Sequence, residues 1–163
     1  MGSDEAVRLY LERVLSWEDA HMTLDQAIAD FPEEYMNAFP PNVPYTPWHL
    51  LEHIRRAQRD ILEFIRDPNY VSPQWPEGYW PKKDERADSA AWQRTVDLIH
   101  EDLLSLEQLA RDPKTDLYSP IPHGDGQTIF RELLLVADHS TYHLGEFAIL
   151  RQVMGSWSRT RRA

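Results

Sequence analysis

Apolar residues along this chain recur at intervals of three and four, and prolines punctuate the runs they form. Val7, Leu11, Val14 with Leu15, and later Leu24 and Ile28 recur at helical spacing. Ser3 offers an N-cap, Asp4 and Glu5 favour the positive end of the helix, and Pro32 closes the run, so the pattern predicts one long first helix. A loop carrying Pro40, Pro41 and Pro44 follows. The second helix begins where Thr46 can cap and Pro47 can take the first helical position. Leu50, Ile54, Ala57, Ile61 and Ile65 form its apolar stripe, and Asp67-Pro68 ends it. The third starts near Asp88 or Ser89, carries Trp92, Val96, Ile99, Leu103 and Leu106, and runs to about Arg111. The fourth runs from about Thr128 to Val153, with Gly155 as its C-terminal cap.

No strand-like alternation interrupts this pattern and no internal repeat is present. The expected architecture is all-α: a four-helix bundle with a long crossover connection between the second and third helices. Residues 1–155 would form the bundle and residues 156–163 a basic tail, Arg159, Thr160, Arg161 and Arg162 among them. The connection over residues 68–87 holds Trp75, Tyr79 and Trp80 among four prolines. Connections of that length are unusual unless they cross a bundle or cover a site. Its aromatic rings read either as a lid over a site or as an apolar plug across the bundle end.

Composition narrows the chemistry. The 163 residues are 42% apolar and 27% charged, the balance of a globular chain with a real core. Cysteine is absent, which excludes disulfides, thiolate catalysis and thiolate metal sites, so a metal would need imidazole or carboxylate. A net charge of −10 argues against a nucleic-acid partner. No secretory signal pattern opens the chain and no apolar run reaches the ~20 residues needed to cross a bilayer, so a cytoplasmic location without a membrane partner is expected.

Candidate ligands then stand out. His139 and His143 lie four apart on the fourth helix, on the face that carries Val136, Phe147 and Leu150, so both rings point into the bundle. Two neutral imidazoles one turn apart can chelate a divalent ion such as zinc, nickel or iron. Glu146 shares that face as a further ligand, a proton acceptor or an outer partner of the site. The second helix brings His49 and His53 near its start; His53 is on the core side, and either could supply a third nitrogen. Trp48 and Tyr142 flank these positions and could line a pocket, with core packing the other reading of Trp48. His21 follows Glu18 at the Glu-x-x-His spacing of di-iron bundles, but no second copy occurs, so it is expected to be structural. His100 is expected in solvent, His123 in a loop, and Gly145 at a close helix contact.

The run T-P-W-H-L-L-E-H-I at residues 46–54, together with H-S-T-Y-H-L-G-E at 139–146, resembles the DinB/YfiT-like superfamily across almost the whole chain. That resemblance implies one divalent metal held by His53, His139 and His143. The family pattern often has Gln where this chain has Glu146. Relatives include metal-dependent thiol S-transferases and a maleylpyruvate isomerase. The resemblance therefore implies a small-molecule substrate, a low-molecular-weight thiol as a possible co-substrate, and a homodimer formed through helix faces. The function expected is a metal-dependent enzyme of thiol S-transferase or hydrolase type, with Glu146 as candidate base and Trp48, His49, Tyr142 and Trp80 around the pocket. The alternative is a non-catalytic dimeric bundle with a structural or vestigial metal site.

Overall fold

The three longest helices start where a side chain closes the first turn. Thr46 Oγ1 accepts from the His49 backbone N–H (3.2 Å), Asp88 Oδ1 from that of Ala91 (2.7 Å), and Thr128 Oγ1 from that of Arg131 (3.1 Å). These caps set α3 (Pro47–Arg66), α4 (Ser89–Arg111) and α5 (Ile129–Met154) in a computed structural model that describes residues 2–157. Gly155 adopts φ 65°, the left-handed conformation that ends α5.

The first predicted helix is two. α1 (Ser3–Leu15) is capped by Gly2 rather than Ser3, and the chain then breaks before α2 (Leu24–Ile28). Residues 16–21 are all exposed, so nothing there would hold a helix to the core. The indole N–H of Trp17 bonds the Asp19 carboxylate within that segment. Thr23 then restarts the helix: its hydroxyl accepts from Gln26 N–H, and the Gln26 side chain accepts from Thr23 N–H.

Among the described residues there are five α-helices and no strands. α3 packs on α4 and α5, and α1 packs on the same two from the other side. Polar pairs give direction: Glu52 meets Thr95, Gln58 meets the Ile99 carbonyl and Arg59 meets Asp102, so α3 and α4 run side by side in the same sense. Residues 67–88 carry the chain back along α3 and touch it at His49, His53, Arg56 and Asp60.

The core has two clusters. One gathers around Phe31, Trp48, Leu51, Trp92 and Phe147; the other around Leu11, Leu62, Leu106, Leu117 and Leu133. Arg151, 1% exposed, ties α2 to α5 by donating to the carbonyls of Ala27 and Ala29. It also donates to the Ser156 carbonyl and lies over the Trp157 ring. Ser156 and Trp157 thus rest on the bundle, whereas Arg159 to Arg162 lie outside the described residues. No helix among the described residues is long and apolar enough to cross a membrane.

Candidate metal centre

The apolar stripe of α3 is interrupted by one imidazole, that of His53, and the facing stripe of α5 by two. Packing α3 against α5 drives all three rings to one point. His53 Nε2 lies 3.1 Å from His143 Nε2 and 3.2 Å from His139 Nε2. One nitrogen from each ring falls within 4.8 Å of the others. His53 and His143 are buried and His139 is half-buried.

The outer nitrogens decide which tautomer each ring carries. His53 Nδ1–H donates to the Tyr79 carbonyl (3.0 Å), and His143 Nδ1–H donates to Glu146 Oε2 (2.7 Å). Both rings therefore present bare Nε2 lone pairs to one another, an arrangement that repels unless a cation or a proton lies between them. A tetrahedral ion with bonds of ~2.0–2.1 Å has ligand edges of about 3.3 Å, close to the separations seen. The residues present fit a divalent ion.

Electrostatics agree. Burial pushes His53 down to about 4, opposed by the Tyr79 carbonyl and reinforced by His143. Burial likewise takes His139 to about 4, with the neighbouring His143 and His53 adding to the shift. Both rings are neutral at pH 7, the form that ligates metal.

The connector covers the site. Trp80 stacks on His53 with ring centroids 3.9 Å apart and planes 6° apart, and meets His143 edge-on. Its carbonyl accepts from Arg56 Nη1, while the Tyr79 hydroxyl donates to Asp60 Oδ2 (2.8 Å). Of the predicted lid residues, Trp80 roofs the imidazoles and Tyr79 braces them through its carbonyl. Trp75 is largely exposed, with its ring against Tyr79.

Other predicted positions fall elsewhere. His49 is buried, but both its nitrogens are engaged: Nδ1 accepts from Thr46 N–H, and Nε2–H donates to the Glu85 carbonyl. It closes the helix cap while His53 supplies the nitrogen to the cluster. Trp48 belongs to the core, its ring tilted against His49. Tyr142 is exposed and edge-on to His143. Glu146 is not among the clustered ligands; it holds His143 from outside. Gly145 does not mediate a close helix contact, because a Cβ built there meets nothing within 4 Å: the residue faces outward. His100 pairs with Asp25 (2.8 Å) at the surface, and His123 Nε2–H donates to the Phe64 carbonyl from its loop. His21 is exposed, with Nδ1 against the Met22 carbonyl.

Three residues around the centre were not singled out from sequence. Tyr45 packs on Trp80, and its hydroxyl faces Glu146; burial first, then that carboxylate, raises its pKa. Arg56 and Asp60 follow His53 at i+3 and i+7, so they share its face and anchor the returning connector. A polar strip beside the apolar stripe of α3 was the available signal.

A family model of the DinB superfamily matches residues 16–147. No curated protein and no solved structure matches the chain.

Proposed function

The protein belongs to the DinB superfamily, and on that premise we propose that it is a divalent-metal-dependent enzyme of thiol S-transferase or hydrolase type acting on a small molecule. The observation that supports this most is the inward aim of the His53 and His143 lone pairs, set by the outer bonds to Tyr79 and Glu146. His53, His139 and His143 would hold the ion. A divalent ion with three neutral ligands keeps its full charge and supplies Lewis acidity that lowers the pKa of a thiol or water brought against it.

The chain's own residues do the rest. Glu146 accepts the Nδ1 proton of His143, fixing that ring's tautomer and raising the basicity of its inner nitrogen. Of the three roles the sequence leaves to Glu146, this geometry favours the outer partner. Tyr45 and Tyr142 carry protonated hydroxyls facing the same carboxylate, placing donors beside the centre. Trp80 excludes water from one side of His53. The half-buried His139 and exposed Tyr142 leave the approach from α5 open to a substrate. The absence of cysteine makes a low-molecular-weight thiol the fitting nucleophile for S-transfer.

The test is to purify the protein without an affinity tag, quantify bound metal by mass spectrometry, and assay thiol conjugation with zinc, nickel and iron restored. Stoichiometric metal lost in a His53→Ala variant, together with metal-dependent conjugation or hydrolysis, supports the reading. A folded protein with no affinity for any of the three ions refutes it. If metal binds but chelation only lowers the melting temperature and no activity depends on it, the site is structural. A homodimer through helix faces belongs to the same proposal: Leu134, Ile149 and Val153 leave apolar surface on α5. Sedimentation at micromolar concentration measures it, and a monomer removes that part.

A further inference from the structure

The break between α1 and α2 has a structural consequence away from the imidazoles. Between Leu15 and Leu24 the chain leaves the helix, and a cavity of about 140 Å³ lies at the junction of the two core clusters, with Ser16, Trp17 and His21 of that segment on its rim. Its walls are mainly aliphatic: Val14 and Leu15 from α1, Leu24 from α2, Ile99 and Leu103 from α4, and Leu144 from α5. Polar side chains share the lining: Gln58 is buried, Ser140 and Thr141 come from α5, and Thr23 and the ion-paired Asp25 and His100 stand nearer the surface.

We propose that this cavity is a second binding site, for a small uncharged molecule with a compact ring or branched aliphatic body and at most one hydrogen-bonding group. Size sets the upper bound. An aliphatic cavity of about 150 Å³ in another protein stays dry and takes benzene. Ligand pockets combine apolar walls with a few directing polar groups, and this one does so on a small scale. An uncharged guest fits better than an ion, because the lining surface is mostly apolar and its ionisable pair, Asp25 and His100, is already engaged with itself near the surface. The hydroxyls of Ser140 and Thr141 and the Gln58 amide can each address one polar atom of the guest. The Gln58 amide N–H is already given to the Ile99 carbonyl (2.7 Å), which leaves its oxygen as an acceptor for a guest N–H or O–H.

The site is distinct from the metal centre yet adjoins it. Ile54, Ser140 and Leu144 line the cavity, and each directly follows one of the three clustered histidines. Successive helical residues point about 100° apart, so the same two helices present imidazoles on one side and cavity wall on the other.

Indole and toluene serve as probes, by calorimetry and by amide shifts in ¹⁵N-labelled full-length protein. Saturable binding is expected, with amide shifts centred on residues 14–24, 99–103 and 140–144. Val14→Phe fills the cavity from α1 and should weaken binding at least tenfold without lowering the melting temperature. Leu103→Phe fills it from α4 and replaces that variant should it not fold. Crystals under xenon should show the gas between Leu15 and Leu144. Binding should survive in His53→Ala, so failure here is separable from failure of the metal reading. Absence of saturable binding, equal binding by the filled variants, or xenon found only elsewhere overturns the proposal.

Discussion

His53 is held at its outer nitrogen by a residue far along the chain, Tyr79 of the returning connector. Tyr79 accepts the Nδ1 proton through its carbonyl while its hydroxyl grips Asp60 on the same helix, two turns away. Removing that hydroxyl frees the carbonyl to drift. Tyr79→Phe should therefore weaken zinc affinity about tenfold with the helices intact, and Glu146→Ala by 10–100-fold, the usual range for outer partners of metal ligands. Chelator competition measures both; unchanged affinity in either variant means that its contact does not orient the ligand. The pH response of the metal-free protein follows from the same rings. Both His53 and His139 sit near 4 when folded, against about 6.5 in an unfolded chain, so the unfolded state binds more protons between those values. Stability is fully present above about pH 6.5, falls as the pH drops, and levels off below about 4. Urea midpoints of metal-free protein at pH 7.5, 5.5 and 4.5 should decline in that order, and the His53→Ala variant should show a shallower decline.

At the level of elements, what joins the interrupted first rod to the rest is a side chain from the last. Arg151 is buried, and its guanidinium serves the carbonyls at the end of α2, which no following turn of helix can satisfy. Arg151→Met keeps most of the bulk but leaves those carbonyls without donors, so a loss of about 2–3 kcal/mol is expected from chemical unfolding. A loss below 0.5 kcal/mol would mean that water takes over the bonds. Helix limits were legible wherever a cap residue coincided with the start of an apolar stripe, as at Thr46, Asp88 and Thr128. They were misread between Leu15 and Leu24: Leu24 and Ile28 are spaced helically with each other but lie out of phase with Leu11, Leu24 being about 220° round a continuous helix from it. A break in phase between two apolar runs marks two helices rather than one. Thr23 followed by Gln26 was the restart signal.

Across the whole molecule, the imidazole cluster and the fold are linked, because α3 and α5 meet through the three rings. An ion that binds only the folded state adds stability by mass action, about 4 kcal/mol when its concentration is a thousand times its dissociation constant. Zinc should thus raise the melting temperature of the wild-type protein by several degrees and leave His53→Ala/His143→Ala unmoved. Equal shifts in both proteins would place the binding outside the cluster. The connector, read from sequence as lid or plug, lies along α3 with Trp80 on His53 and Trp75 turned to solvent.

Local information was enough for the all-helical class, for the ends of α3, α4 and α5, and for the inward face of His139 and His143, since caps and a 3.6-residue period act over one or two turns. Three other features depended on tertiary packing: the meeting of His53 with the α5 pair, the bond from His49 to the Glu85 carbonyl, and the cavity beside the broken rod. Each sets residues far apart in the chain at a separation fixed only by how rigid helices pack, and distances of that kind have no counterpart in the spacing of residues along a sequence.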